Sequence, residues 1–359
     1  MKRVVAVVGG GPAGCSFAMA AARAGMDVLL FERSRGRPLG EWLAPEGKTE
    51  LQRAGLWQRL PLALASRCET VRVAWERPFP SEQSFITNPH GCAWTLDRAA
   101  FDAWLLAEAQ AAGVTCAAGA SVRQVRRAGR GWMLAVETAQ ETTEVLADLV
   151  VDASGCAGAL TRCLGRRMVW RDPLCAVVCT TKAGAPDDGL AIEATSAGWW
   201  YSTRVPDGSM AAAFFTDPCL LPRGIRSDVD CLHRLLDEAP MTRARLPGVQ
   251  AREVVAVVTR AFDRVAGDGW LAIGDAALSR DPLSGEGIAA AFRSAAAAGE
   301  ALPGWLCGDL EASSRYDANH ARARDAYLGA RHAAYATQRR FEGALFWARR
   351  LNSTAGVHQ

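Results

Sequence analysis

Residues 4–32, VVAVVGGGPAGCSFAMAAARAGMDVLLFE, predict a strand, a glycine-rich turn, a helix and a second strand. Val4–Val8 is an apolar run too short for a buried helix, which is typical of a central parallel strand. A helical pattern then runs to Ala24, Gly25 ends it, and a second apolar run closes on Glu32. This order of elements is one complete β-α-β unit.

The turn of this unit has the spacing G-x-G-x-x-G. Its first glycine permits a tight turn, its second lets a diphosphate approach the backbone, and its third lets the helix pack closely on the sheet. A glycine-rich turn alone would be weak evidence, but strand, helix and terminal acid all follow in the order that dinucleotide binding requires. The candidate cofactor-binding residues of the unit are Gly9, Gly11, Pro12, Ala13, Gly14, Glu32 and Arg33.

The composition is that of an ordinary soluble globular protein. The 359 residues are 50% hydrophobic and 22% charged, and they are enough for two closely joined domains. A net charge of +3 without a basic block gives no reason to expect nucleic acid as a partner. The glycine turn interrupts the first apolar run before it could serve as a signal peptide, and no apolar stretch is long enough to span a membrane.

Cysteine usage indicates a reducing compartment. The 11 cysteines are scattered without a C-x-x-C pair. We therefore expect a cytoplasmic protein with no metal site.

Beyond the first unit, the pattern of elements predicts an insertion. Glycines and prolines between residues 33 and 48 predict an irregular loop, and residues 49–60 a short helix. Asp97 is placed to cap a helix that ends at Gly113. Short strands dominate from about residue 169 to about residue 260, and residues 270–273 return to the parallel-strand pattern. Strands that lie between two pieces of a nucleotide-binding domain must form an inserted domain.

Two further motifs accompany the glycine turn. They are DLVVDASG at residues 148–155, and GD at 274–275 followed by DPLSGEG at 281–287. Together the three motifs resemble those of the FAD-dependent monooxygenase and halogenase superfamily, and the resemblance covers its FAD domain from end to end. It implies FAD as the cofactor. The cofactor-binding residues that it adds are Arg98, Val122, Asp152, Gly155, Asp275, Pro282, Ser284, Gly285, Gly287 and Ile288.

The residue types of the third motif suit a flavin. Asp275, at a strand end, can accept hydrogen bonds from ribityl hydroxyls, and the small residues of 281–287 let backbone N–H groups approach the ring. The helix that follows would direct its positive end at the ring edge where negative charge collects on reduction. Arg98 matches a cofactor-contacting arginine of the superfamily, although an ordinary surface salt bridge is the alternative. By the same resemblance, Val122 would touch adenine through its backbone.

The resemblance also implies the architecture. We predict an α/β fold: a Rossmann-like FAD-binding domain, an inserted, mostly antiparallel β-sheet substrate domain, and a C-terminal helical segment. The FAD-binding domain comprises residues 1–70, 95–165 and 262–302, the substrate domain residues 71–94 and 166–261, and the helical segment residues 303–359.

A second set of segments resembles a narrower group within the superfamily. GEWLAP at 40–45, GWWYS at 198–202, FFTD at 214–217 and the tail at 335–350 resemble the tryptophan-hydroxylating, halogenase-like flavoproteins. The alternative for the aromatic residues is an ordinary place in the core, and for Arg204 a structural ion pair. The substrate-binding residues that this resemblance implies are Trp42, Trp199, Trp200, Tyr201, Arg204 and Pro282.

The activity implied is that of an FAD-dependent monooxygenase. It would hydroxylate an electron-rich aromatic ring, an indole or tryptophan that is free or peptidyl, with O2 as co-substrate and through a flavin C4a-hydroperoxide. No second dinucleotide fingerprint is present, so NAD(P)H would reduce the flavin directly and transiently, or a separate flavin reductase would do so.

Three alternatives stay open: a flavin-dependent halogenase, a geranylgeranyl-reductase-like FAD-dependent reductase, and a non-catalytic flavoprotein. The halogenase requires a lysine downstream of the GEWLAP segment. Neither Lys2, Lys48 nor Lys182 matches that position, which counts against halogenation.

Candidate acid-base residues are few. His90 could act as a base, or be an exposed turn histidine, and Glu41 and Glu46 could be active-site acids or solvated loop charges. Arginines of the last helices could dock an acidic protein or peptide, or form a solvated face. These arginines are Arg322, Arg324, Arg331, Arg339 and Arg340.

Overall fold

A computed structural model describes residues 2–33, 41–182, 189–226, 228–249 and 251–352. Its helices are α1 Pro12–Arg23, α2 Pro45–Arg53, α3 Arg98–Ala111, α4 Ala159–Cys163, α5 Val229–Asp237, α6 Pro240–Arg245, α7 Gly287–Leu306, α8 Leu310–Ala336 and α9 Leu345–Asn352.

The strands lie in two large sheets and two small ones. They are β1 Val4–Val8, β2 Asp27–Glu32, β3 Glu41–Leu43, β4 Ala65–Cys68, β5 Thr70–Ala74, β6 Ser81–Ser84, β7 Ala93–Leu96, β8 Thr115–Ala118, β9 Ser121–Ala128, β10 Gly131–Glu137, β11 Thr142–Ala147, β12 Leu149–Asp152, β13 Met168–Thr181, β14 Leu190–Thr195, β15 Gly198–Arg204, β16 Met210–Thr216, β17 Ala251–Phe262, β18 Ala266–Gly267, β19 Trp270–Ala272 and β20 Leu278–Ser279.

The first large sheet is parallel except at one edge. Its order is β18-β19-β12-β1-β2-β8, and only the pairing of β18 with β19 is antiparallel. Val5 and Val7 of β1 face the core formed with α1, α3 and α7. Ala6 and Val8 face the meander β9-β10-β11, which supplies the indole of Trp132. Because both faces are covered, β1 is apolar at every position, as the sequence predicted.

The second large sheet is the predicted insertion. Its order is β20-β17-β13-β16-β15-β14-β5-β6, and all pairings are antiparallel except that of β14 with β5. Helices α5 and α6 cover one face through Leu232, Leu236 and Leu246. The tail covers the other face through Tyr335 and Trp347. The predicted fold class is confirmed.

Details of the predicted segments differ from the structure. Residues 33–48 are not an irregular loop throughout, since β3 and the first turn of α2 fall within them, while residues 34–40 lie outside the described part. The predicted helix 49–60 is instead α2, because Pro45 at its first position starts it four residues earlier. Strand β20 joins the second sheet although it lies inside segment 262–302, and the division into domains stays a prediction.

The described residues contain neither a candidate membrane span nor a candidate metal cluster. None of the described helices is long and apolar enough for a membrane span. Within the same part of the chain, no three His, Cys, Asp or Glu side chains come together as a metal site would require.

Candidate active site

The glycine turn is as tight as its spacing predicts. Gly9 has φ +112°, and its N–H donates to the carbonyl oxygen of Phe31 at 2.8 Å. A Cβ on Gly9 would lie 2.2 Å from the carbonyl oxygen of Ala153, and one on Gly14 would lie 1.9 Å from the carbonyl oxygen of Gly9. Helix α1 then begins at Pro12, so its first N–H groups face the open end of the turn.

The three motifs converge. Ala153, which abuts the glycine turn, belongs to the second motif, and a Cβ on Gly274 of the third motif would lie 2.8 Å from the Cβ of Ala13. The carboxylate of Glu32 accepts a hydrogen bond from the N–H of Gly10 in the same turn. Segments more than 100 residues apart in the chain therefore form one cleft edge at the carboxyl ends of β1, β2 and β12.

Other predicted cofactor residues lie around this edge. Arg33 is exposed directly after β2, and Val122 is half-buried in β9 of the meander. Asp152 is fully buried, and its two carboxylate oxygens accept hydrogen bonds from Ser154 and Thr161 at 2.6–3.1 Å. Asp152 thus shapes the loop that follows it, with Gly155 at φ +66° as its turning point.

Asp275 is the most perturbed acid of the cleft. It is half-buried in the short turn after β19. Burial raises the pKa of its carboxyl to about 6. The positive charge of Arg280 lowers this pKa, and the negative charge of Glu41 raises it further. Arg98 and Arg260 also lower the pKa of Asp275 through their charges. The carboxyl therefore lies within a group of three arginines and a second acid.

Arg98 holds Glu41 in this group. The Arg98 Nε donates to Asp102 at 2.8 Å, and its Nη1 is ion-paired with the Glu41 carboxylate. Burial by itself lowers the pKa of Arg98, but the charges of Glu41 and Asp102 outweigh burial and raise it. The Arg98 side chain is 13% exposed and the Glu41 side chain 45%, so solvent screens this ion pair from the side of Glu41.

The 281–287 turn is built by its own aspartate. The Asp281 carboxylate accepts from the N–H of Leu283 at 3.0 Å, and the Ser284 hydroxyl donates to the Asp281 carbonyl oxygen at 2.9 Å. Pro282 starts the turn and Gly285 closes it at φ +61°. A Cβ on Gly285 would lie 2.4 Å from the ring of Trp42. Helix α7 begins two residues later, at Gly287, and buries Ile288.

Trp42 links this turn to the second sheet. Its ring centroid lies 6.2 Å from that of Phe85, and both rings pack with Ile192 and Tyr201 on one small cluster. The Tyr201 hydroxyl is buried, and burial, followed by the charge of Glu41, raises its pKa. These apolar rings lie between the 281–287 turn and β14 and β15.

The three aromatic residues of β15 do not share one surface. Trp199 is buried, stacks on Phe215 with centroids 4.2 Å apart, and lies on the face of Tyr201. Trp200 packs against Phe214 on the opposite face, beneath α5. The alternation of a strand separates neighbours in this way. Arg204 is half-buried at the end of β15.

Of the three acid-base candidates, only Glu41 lies among the cofactor residues. Glu46 is exposed in the first turn of α2, and His90 is exposed with its Nδ1 3.1 Å from the Thr49 hydroxyl. The Lys48 ammonium lies over the ring of Trp57, 5.4 Å from its centroid.

The arginines predicted to dock a partner or to form a solvated face do not all lie on the surface. Arg331 is buried between Asp281, at 3.0 Å, and Asp172, so it cannot contact a partner protein. The prediction is wrong for Arg331, because α8 packs against the second sheet there. Arg322 and Arg339 are exposed.

Two arginines near Asp275 lie outside the three sequence motifs, and they were not predicted from the sequence as site residues. Arg280 is half-buried directly before the 281–287 turn, and Arg260 is buried near the end of β17. Only the proximity of Arg280 to the third motif could have drawn attention to it.

Comparison with known proteins agrees with this geometry. A family model for FAD dependent oxidoreductases matches residues 5–165. LodB of Marinomonas mediterranea, named as an FAD-dependent oxidoreductase, is 27% identical over 98% of both chains.

Two solved structures have the same fold. The flavin-dependent halogenase CmlS superposes with a TM-score of 0.86 at 24% identity, over 98% of this chain and 68% of its own. The peptidyl tryptophan dihydroxylase QhpG, described as essential for tryptophylquinone cofactor biogenesis, gives 0.77 at 24% identity, over 100% of this chain and 81% of its own. Residues 5–165 therefore match the FAD dependent oxidoreductase family, and the chain as a whole has the fold that CmlS and QhpG share.

Proposed function

We propose that this enzyme is a monooxygenase that hydroxylates an electron-rich aromatic ring, an indole of free or peptidyl tryptophan. The observation that carries the proposal is the contact of the Trp42 ring with Gly285, beside Phe85 and Tyr201. We infer that an aromatic substrate stacks beside these rings, next to the 281–287 turn. The description of QhpG as a peptidyl tryptophan dihydroxylase supports the same substrate class.

The residues present fit FAD. Gly9 and Gly14 leave no room for a Cβ at the first turn. The Glu32 carboxylate beside this turn would accept hydrogen bonds from a ribose. Asp275 would accept hydrogen bonds from the ribityl chain, and α7 would direct its positive end at the ring. FAD, once reduced by NAD(P)H or by a separate flavin reductase, would supply the activation of O2. The other predicted contacts, including Arg98 and Val122, belong to the same proposal.

The protein would contribute position and electrostatics. The Arg98 and Glu41 pair would place two opposite charges near Asp275. Trp42 would orient the substrate ring and exclude water. Tyr201, whose raised pKa keeps its hydroxyl neutral, could donate a hydrogen bond to a polar substituent of the ring.

The test is oxygen uptake and product mass with tryptophan and a tryptophan-containing peptide. Product should gain one or two oxygen atoms, and added bromide should leave its mass unchanged. Trp42→Leu should slow turnover while Trp57→Leu, which removes a partly buried indole that packs on Trp94, should not. Brominated product would instead establish a halogenase. Saturation of a double bond without oxygen would establish a reductase. The absence of oxygen uptake with any indole would indicate a non-catalytic flavoprotein.

The source of electrons has its own test. The purified holoprotein is mixed anaerobically with NADPH while the flavin absorbance is followed. Prompt bleaching would exclude an obligatory reductase partner. Persistence of the oxidised spectrum, reversed by adding a flavin reductase, would establish that partner.

A further inference from the structure

One face of helix α8 holds the aspartate that builds the 281–287 turn. Tyr327, Arg331 and Tyr335 are spaced four residues apart on α8, so their side chains lie on the same face of the helix. The Tyr327 hydroxyl accepts from the Asp281 N–H at 2.5 Å. The Asp281 Oδ2 accepts from the Arg331 Nε at 3.0 Å and from the Tyr335 hydroxyl at 2.9 Å. Because the Oδ1 of Asp281 accepts from the N–H of Leu283, a single carboxylate joins α8 to the turn.

The contacts continue from Arg331 into the second sheet and the last helix. The Arg331 Nη2 is ion-paired with Asp172 of β13, and the Arg350 Nη2 lies 3.1 Å from the other carboxylate oxygen of Asp172. The same Arg350 nitrogen donates to Asp217, directly after β16, at 2.7 Å. The side chains of these residues and of Asp281 are 1–14% exposed. A buried chain of alternating charges therefore runs from the 281–287 turn to α9.

Stability alone is a poor reason for such a chain. A buried ion pair adds little stability compared with apolar side chains of the same volume, because both charges lose their water. In some proteins buried charges are retained because they permit only one arrangement of the groups around them. The 281–287 turn needs such a constraint, since glycines at 285 and 287 allow its backbone several conformations. Contacts from outside the turn therefore fix its position.

We propose that Arg331, with Tyr327 and Tyr335, is a positioning residue of the flavin site. Acting through Asp281, it sets how close the backbone N–H groups of the turn and the start of α7 lie to the FAD ring. These positive groups stabilise the negative charge of the reduced ring more than they stabilise the oxidised ring. A turn that is free to move away would therefore lower the reduction potential of the bound FAD. The inference rests on the proposed function only in placing FAD at the 281–287 turn.

The test uses three variants of α8. Arg331→Met removes the charge, Arg331→Lys keeps the charge without the fork that reaches both aspartates, and Tyr327→Phe removes only the acceptor of the Asp281 N–H. The potential of each holoprotein is measured by equilibration with a reference dye, and each apoprotein is titrated with oxidised FAD. In Arg331→Met the Kd of reduced FAD should rise about tenfold more than that of oxidised FAD, which lowers the two-electron potential by about 30 mV. Arg331→Lys and Tyr327→Phe should give smaller shifts in the same direction.

A matched variant separates positioning from a structural role. Glu193 is also buried and charged, but it lies beneath α6 on the other face of the sheet and accepts from the N–H and the hydroxyl of Thr242 at 2.7 and 2.8 Å. Glu193→Gln should lower the melting temperature and leave the potential unchanged. If Arg331→Met and Tyr327→Phe also keep the wild-type potential, the proposal is overturned, whatever their melting temperatures.

The outcome does not depend on a single variant. Should Arg331→Met not fold, the potential of Tyr327→Phe decides by the same criterion, because this variant leaves every charge of the buried chain in place. No substrate is present in these measurements, so a failed indole assignment would leave their result unchanged.

Discussion

Replacing Gly285 by alanine tests the contact on which the substrate proposal depends. The residue has φ +61°, and a left-handed conformation costs an L-residue roughly 1–2 kcal/mol. The new Cβ would also lie 2.4 Å from the Trp42 ring, and overpacking of this kind typically costs about 1–3 kcal/mol. We expect the apoprotein to lose about 2–5 kcal/mol of unfolding free energy, the sum of these two terms.

A matched glycine separates the two terms. Gly129 has φ +60°, and nothing lies within 4 Å of a Cβ added there, so Gly129→Ala incurs only the backbone term. Urea unfolding of both variants should give Gly285→Ala an excess cost of about 1–3 kcal/mol. In a Trp42→Leu background the excess should largely vanish, because the ring that the Cβ meets is absent.

The same variants report on the cofactor. Gly285→Ala should weaken FAD binding in a fluorescence titration, since the turn before α7 must shift, while Gly129→Ala should not. If Gly285→Ala costs no more than Gly129→Ala, or if its excess survives removal of Trp42, the turn does not lie against that ring and the proposed stacking surface is wrong.

Three other perturbations have defined outcomes. The raised pKa of Asp275 means that the folded state keeps its proton longer, so apoprotein stability, measured against Asp275→Asn, should fall as pH rises from about 4 to about 6. Gly14→Ala should abolish FAD binding or folding, because its Cβ would lie 1.9 Å from a carbonyl oxygen of the glycine turn. Tyr335→Phe should cost about 1–3 kcal/mol in urea unfolding, since the hydroxyl donates to Asp281 at 2.9 Å and accepts from the buried Trp199 Nε1 at 3.2 Å.

Each of these has a control or a contradicting result. For Asp275, a pH profile parallel to that of the asparagine variant would show that the carboxyl is not perturbed. Gly25→Ala, at φ +86° with open space around it, should bind FAD normally beside Gly14→Ala. Tyr316→Phe loses the hydrogen bond to the Ala272 carbonyl oxygen at 3.0 Å and the one shared with Ser294. Neither partner is charged, so it should cost less than Tyr335→Phe, whose hydroxyl donates to a carboxylate. Equal costs would argue against the linked role of the Tyr335 hydroxyl.

Local sequence determined the nucleotide-binding half of the fold. Five consecutive apolar residues, glycines at fixed spacing and the cap at Asp97 each dictate backbone conformation within a few residues, and β1, α1 and α3 formed where they predict. A Cβ on Gly14 would meet the carbonyl oxygen of Gly9 inside the same β-α-β unit, whereas a Cβ on Gly9 would meet Ala153, which lies outside it. The spacing of the glycines therefore predicted the turn, but not the segment that packs against Gly9.

Only the tertiary structure decided which side chains meet. The pleat of β15 sends Trp199 and Trp200 to opposite faces, and burial against α8 or α5 could not be read from a row of aromatic letters. Arg331 is a buried ion-pair residue because Asp281, 50 residues earlier in the chain, accepts a hydrogen bond from it. Charge pairing and burial depend on residues that are distant in the sequence. The sequence gives the identity of these residues but not the distances between them in the folded chain.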